Sequence, residues 1–351
     1  MFKKFTITLI LVAAHVALSE IYAQRSLSVN NAESKRTSNA AWMSGKWGVG
    51  TIIPTGERDM DVEAFTRQIA DIPGVSYVLV NLSRNAHGDK YSSYHPILKS
   101  LDKDATPSAE NDLLMRVAKA LDKMNMPMFV YVASEGPAKL KRNKHSPHDS
   151  KWKQYVLNEL YPDEPGSDVD KFKRAYAEVV IAEYAKRFGD LIDGWWFDHA
   201  VYANIPLLHE VITKHNPKAI LAFNVGQKVP LVNNSPGYED MTAGHVTPLE
   251  THPPNTQKNL PMIESIEKSD GGFVGDPPSL CHILMPMQRK WFMGADVWEE
   301  EQAREWMSRT IKAGGAWTWC IASDRDGGVM NPERVKLLKK IVGEMGSKTQ
   351  E

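Results

Sequence analysis

Cysteine is nearly absent from this chain of 351 residues, which has two, Cys281 and Cys320. Neither belongs to a paired Cys/His spacing, which excludes the usual zinc-site patterns. The two leave open one disulfide or two buried thiols. An excess of charge is also missing, because 42 Lys and Arg balance 43 Asp and Glu for a net charge of −1. That balance gives no electrostatic reason to bind nucleic acid or an anionic membrane. No Gly-x-Gly-x-x-Gly follows the first expected strand, so a dinucleotide-binding open sheet is disfavoured. No Gly/Ser-rich linker and no short internal repeat divides the chain.

Long apolar runs are lacking except at the start, Met1-Phe-Lys-Lys-Phe-Thr-Ile-Thr-Leu-Ile-Leu-Val-Ala-Ala. Two lysines precede an apolar run shorter than the roughly 20 residues that cross a bilayer. Ile21-Tyr-Ala23-Gln24 then offers a small residue for cleavage. This pattern reads as a secretory signal over 1–23, followed by a polar, flexible leader over 24–40. The mature protein is expected to be secreted or periplasmic, with no membrane contact after cleavage. One domain is expected over 41–346, large enough to bury a single core.

Aromatic residues are plentiful, with ten Trp and eleven Tyr. Their faces stack on sugar rings, though they also fill cores. From residue 46 onward, short apolar runs alternate with longer amphipathic ones. Strands are expected over 47–53, 76–82, 127–133, 192–197, 219–224, 241–246, 280–286 and 316–321. Helices are expected over 61–72, 109–125, 168–188, 206–215, 256–268, 299–313 and 331–344. Such a series is that of a single (β/α)8 TIM barrel. Continuously apolar strands also suit a buried parallel sheet.

In such a barrel the catalytic groups project from the C-terminal ends of the strands. Asp193-Gly-Trp-Trp-Phe-Asp198-His199 runs apolar residues straight into a carboxylate at that address. Asp198 is therefore the first catalytic candidate; the alternative is a helix cap or an Arg partner. Other expected strand ends contribute Arg84 and His87, Glu135, His199, Asn224, His245 and Glu250, and Arg289 and Trp291. Alternation allows only one of Trp195 and Trp196 to face inward, and Trp196 is the one carried as a substrate contact. Trp317 and Trp319 share a face, either as a stacking floor or as core. Arg84, Arg289 and Lys290 suit an anionic substituent, or are solvated surface charge. The basic stretch Lys139-Leu-Lys-Arg-Asn-Lys-His145 lies in a long βα connection that reads as a solvated insertion or a lid. Carboxylates and aromatics at one mouth suit glycoside hydrolysis, which needs two acid/base roles.

At these residues the chain resembles the catalytic barrel of the family-29 glycoside hydrolases, the α-L-fucosidases. The resemblance lies in Lys46-Trp-Gly-Val-Gly-Thr51, Gly74-Val-Ser-Tyr-Val-Leu79, Asn111-Asp-Leu-Leu114 with Met128-Phe-Val-Tyr131, and Ala313-Gly-Gly315. The most specific match is Gly189-Asp-Leu-Ile-Asp-Gly-Trp-Trp-Phe-Asp198. It implies a retaining mechanism with Asp198 as nucleophile, exo-cleavage of a terminal α-L-fucose-like or related, modified or sulfated sugar, and no cofactor or metal. The chain departs from that family where Ile52 or Ile53 replaces a sugar-binding histidine and Arg84-Asn-Ala-His87 replaces a His-His pair. His245 occupies the place of the acid/base Glu, which leaves Glu250, His245 and Glu135 as candidates for that role. The rival reading is a non-catalytic carbohydrate-binding protein on a degenerate barrel, with no second carboxylate near Asp198. The enzyme reading expects a carboxylate, or His245, within reach of Asp198.

Overall fold

The computed structural model describes residues 38–83, 90–140, 147–226, 228–245, 256–291, 293–296, 298–323 and 329–343. Its strands, in chain order, are β1 (Trp47–Thr51), β2 (Val78–Asn81), β3 (Met128–Ala133), β4 (Gly194–Asp198), β5 (Ile220–Phe223), β6 (Phe273–Val274), β7 (Ser279–Leu280), β8 (His282–Pro286), β9 (Gln288–Lys290), β10 (Met293–Asp296) and β11 (Ala316–Cys320). Seven form one parallel sheet in the order β5-β4-β3-β2-β1-β11-β8. The pairs β6–β7 and β9–β10 are small antiparallel ribbons. Helices Val62–Ala70, Leu113–Asp122 and Ile205–Thr213 start on side-chain caps, with Asp61, Asp112 and Asn204 accepting from the backbone of Ala64, Met115 and Leu207. These caps satisfy N–H groups that the first helical turn leaves unpaired.

Alternation along the strands sorts the side chains into two clusters. Val78, Val80, Val130, Val132, Trp195 and Phe197 face outward into the large cluster beneath the helices. Leu79, Phe129, Trp196, Ile220 and Ala222 face inward, with Tyr77 and Met43, into a smaller cluster. Glycine makes the inner aromatics fit: a Cβ on Gly48 would overlap the Tyr77 ring, and one on Gly194 the Phe129 ring.

The segment expected as a sixth strand is not a regular one. Met241 and His245 make isolated parallel bridges to Leu280 and Leu284. Thr242 N donates to Leu280 O at 2.8 Å, and Leu284 N to Gly244 O at 3.0 Å. Toward β5, Asp240 N donates to Leu221 O at 2.8 Å, while the Asp240 carboxylate accepts from Leu221 N at 3.1 Å. A side chain thus stands in for one rung of the ladder, and the left-handed Gly244 (φ +61°) interrupts the extended backbone. The eight regular strands expected of a TIM barrel are therefore seven, with an irregular segment beside β5 and β8.

The described fold begins at Ser38, inside the segment expected to be a leader. The 3-10 turn Asn39–Met43 buries Ala40 and Met43 in the inner cluster. Ser38 Oγ donates to Asp240 O at 2.6 Å. The expected signal over 1–23 lies outside the described residues. Cys281 and Cys320 are free, buried thiols, and the outer and inner clusters they occupy are on opposite faces of the sheet.

Trp317 and Trp319 point outward, which corrects the expectation of a stacking floor. Both are fully buried. Trp319 packs edge-on against Trp298 and its Nε1 lies 3.2 Å from Met307 Sδ. The inward positions of β11 are Ala316 and Cys320 in the inner cluster, with Thr318 bonded to Tyr77 and His282. Among the described residues no helix is long and apolar enough to cross a membrane, and no three His, Cys, Asp or Glu side chains are grouped to hold a metal ion.

Candidate active site

Strand β4 turns Trp196 and Asp198 to the inner face and ends there. Asp198 is 3% exposed and well held. Tyr131 Oη donates to its Oδ2 at 2.6 Å. Asn224 Nδ2 at 2.7 Å and the His199 backbone N at 3.0 Å donate to Oδ1. Burial alone would raise its pKa. The nearby charges of His245 and His199 and the bonds from Tyr131 and Asn224 outweigh burial and hold the carboxyl below its usual range. Asp198 is thus an ionised carboxylate at the C-terminal end of an inner strand.

Two histidines flank it. His199 follows directly, with a left-handed backbone (φ 52°, ψ 40°). Its Nδ1 lies 2.6 Å from Glu135 Oε1, and its Nε2 lies 3.8 Å from Asp198 Oδ2. His245 ends the irregular segment; its ring stacks on Trp196 with centroids 5.8 Å apart and lies tilted against Trp291 at 4.7 Å. Trp196 in turn stacks on Tyr131 at 5.5 Å. The ribbon β9–β10 carries Trp291 and is tied to helix Pro332–Gly343 by Arg334, which bonds Asp296 and Gly294 O. At its root the buried Gln288 donates to Cys320 O and accepts from Ala322 N.

The structure thus brings together Asp198, His199, Asn224, Glu135, His245, Trp196 and Trp291 among the residues expected from the sequence. Trp196 is fully buried, so it supports His245 and Tyr131 instead of meeting a sugar. Glu135 is 7% exposed and engaged with His199, which removes it as a free acid. Arg289 is exposed on its ribbon. Arg84, His87 and Glu250 lie outside the described residues, as does the side chain of Lys290. Tyr131 was not anticipated as a site residue. The signal was present in Met128-Phe-Val-Tyr131, where alternation puts Tyr131 on the same face as the inward Phe129.

The family model described as Endo-alpha(1,4)-fucoidanase Mef1 matches residues 37–236 and 228–351. The chain belongs to this family. No curated protein matches the fucoidanase-family chain in sequence. Among solved structures, an endo-fucoidan hydrolase of glycoside hydrolase family 107 is similar with a TM-score of 0.77 and 20% identity, covering 89% of this chain and 94% of its own. A second endo-fucoidan hydrolase of that family has a TM-score of 0.76 and 20% identity, covering 89% of this chain and 65% of its own. The α-L-fucosidase AlfC from Lactobacillus casei is more distant, with a TM-score of 0.57 and 12% identity over 89% of this chain and 99% of its own. At such identities the likeness is one of fold. The Mef1-family chain shares its fold with those endo-fucoidan hydrolases and, at a lower TM-score, with AlfC.

Proposed function

We propose that the protein is a retaining, endo-acting hydrolase of a fucose-containing polysaccharide, a fucoidan, with Asp198 as nucleophile and His245 as acid/base. The observation that carries this reading is an Asp198 carboxyl held below its usual range partly by His245, whose ring packs on the indoles of Trp196 and Trp291. Family membership supports the endo mode, so cleavage of a terminal sugar gives way to cleavage within a chain. The irregular segment 241–245 is read as the remaining strand position of a fucosidase-like barrel, which puts His245 at a strand end.

Asp198 attacks the anomeric carbon as the bond to the leaving oxygen breaks, forming a glycosyl ester. His245 passes its proton to that oxygen. Water then attacks the same carbon, His245 takes its proton, and Asp198 departs as a carboxylate. A negative Asp198 favours the imidazolium needed first. Once Asp198 is esterified that charge is gone, and the neutral imidazole needed as base is favoured. Tyr131 and Asn224 hold the carboxylate in one orientation throughout. The binding-protein reading expects no second carboxylate near Asp198, whereas the enzyme reading expects a carboxylate or His245 within reach, and the electrostatic effect of His245 on Asp198 supports the enzyme reading.

The test is the product profile from fucoidan. A ladder of oligosaccharides from the wild type is expected, where an exo-enzyme would release monosaccharide. Asp198→Asn should lose on the order of a thousand-fold or more, and His245→Gln about a hundred- to ten-thousand-fold. Glu250→Gln should retain activity. Glycan binding without any product would leave the binding-protein reading standing. We also propose export through the segment 1–23, which N-terminal sequencing of the mature protein tests.

A further inference from the structure

The parallel sheet and the ribbon β9–β10 meet at Gln288. The β8–β11 register ends at the pair Pro286 and Cys320, and Met287 N donates to Cys320 O at 3.0 Å just beyond it. At Gln288 the backbone leaves the sheet and pairs antiparallel with Asp296 in the ribbon. Its side chain stays behind. Gln288 is fully buried; its Nε2 donates to Cys320 O at 3.2 Å and its Oε1 accepts from Ala322 N at 3.2 Å. The amide thus takes the place of the next backbone rung, and its two partners fix which end is oxygen. Burying a carboxamide is costly unless both ends are paired, and here both are. Ala322 O in turn accepts from Asn331 N at 2.9 Å, just ahead of the helix Pro332–Gly343, whose Arg334 bonds Asp296 and Gly294 O. The ribbon is thereby held on both strands, β9 at its root by Gln288 and β10 by Arg334.

Three residues beyond Gln288 stands Trp291, whose indole centroid lies 4.7 Å from that of His245. The ribbon has strands of three and four residues, and an isolated two-stranded ribbon is marginally stable at best. Its direction out of the sheet therefore comes from its anchors. An indole face attracts a cation within about 6 Å of its centroid, so what Trp291 gives to His245 depends on where β9 leaves the sheet. Resting on the reading of His245 as acid/base, that dependence reaches the chemistry, because the protonated ring is the form that donates to the leaving oxygen.

We propose that Gln288 is a positioning residue for the cleavage reaction: its side-chain amide sets the exit of β9 from the sheet and so holds Trp291 against His245.

The full chain is assayed on fucoidan as wild type, Gln288→Met, Trp291→Leu and the double variant. Asp198→Asn and His245→Gln are the controls, and melting temperature is the check on folding. Methionine fills a similar volume and makes neither bond. Gln288→Met is expected to lower kcat about three- to twenty-fold, with KM within about two-fold of wild type. In the Trp291→Leu background the same change should cost less than about two-fold, because both residues act through one contact. The alkaline limb of kcat/KM, which reports the acid of the free enzyme, should move to lower pH by about half a unit to one unit in both single variants. A loss of stability alone would move neither the limb nor the coupling. If Gln288→Met fails to fold, Gln288→Asn, whose amide is one carbon too short to reach both partners, carries the same cycle. Additive losses, an unmoved alkaline limb, or a raised KM with kcat unchanged overturn the proposal while leaving an Asp198-dependent hydrolase in place. Full activity in His245→Gln overturns the acid/base reading and this proposal with it. A wild type that gives no product from fucoidan overturns the hydrolase reading itself.

Discussion

The imidazole of His245 packs on the indole of Trp291 with ring centroids 4.7 Å apart and 35° between the planes. Trp196 stacks on the same imidazole at 5.8 Å and 25°. Indole faces attract cations, so this packing stabilises a protonated ring as well as fixing its direction. Trp291, expected from the sequence as a sugar contact, thus touches the proposed acid/base directly.

Trp291→Leu is expected to lower kcat on fucoidan by about five- to thirty-fold, as the loss of about 1–2 kcal/mol of cation–π support would give. A substrate with an activated aryl leaving group needs little protonation and should lose much less. Kinetics on the two substrates check this. Equal losses would make Trp291 a sugar platform instead.

Tyr131→Phe removes a bond that helps to keep Asp198 ionised. The Asp198 pKa should rise, and because attack needs the carboxylate, activity should be lost at a higher pH on the acid side. The acid limb of the kcat/KM profile is therefore expected to move upward while the alkaline limb stays. An unmoved acid limb would assign that limb to another group.

Glu239 is buried beside Asp240, and burial pushes its pKa up to about 8 against the bonds from Asn234 and Ser235 and with help from Asp240. The folded state therefore holds a proton there that the unfolded chain gives up near its ordinary value of about 4.3. Stability from this group is complete below that value and is lost as pH rises toward about 8. Glu239→Gln should be more stable than wild type at pH about 9, with the difference shrinking toward pH about 5. Melting temperatures across that range test it, and a constant difference would sink the idea.

A Cβ at position 244 would overlap His282 O, and the backbone there is left-handed. Gly244→Ala should cost more than about 2 kcal/mol and displace His245, so that activity falls further than stability alone explains. Denaturant titration beside kcat at a temperature where the variant is folded separates the two.

Trp319 lies in the outer core against Trp298 and Met307. Trp319→Ala should destabilise the fold by about 3–5 kcal/mol, with KM of the folded fraction unchanged. A raised KM at full stability would restore the stacking-floor role that the sequence suggested.

Much of the architecture was legible in the chain. Apolar runs over 127–133 and 192–197 became β3 (Met128–Ala133) and β4 (Gly194–Asp198), because continuously apolar segments need burial on both faces. The run over 241–246 misled, since Gly244 and the Asp240 side chain replace regular ladder geometry at a place where apolarity alone reads as strand. The twofold period put Trp317 and Trp319 on one face but carries no information about which face is inside.

Local chemistry, then, dictated the parallel sheet, its strand ends and Asp198 as the carboxylate that stands on one of them. Those features follow from hydrophobic periodicity and strand geometry, which act over a few residues. Only the tertiary structure decided Asp198's partners. Tyr131, Asn224 and His245 come from three other stretches of chain, and Glu135 reaches His199 across 64 positions. Their approach depends on how the sheet curls and which side chains fill its interior, and no short-range pattern encodes a distance between residues that far apart.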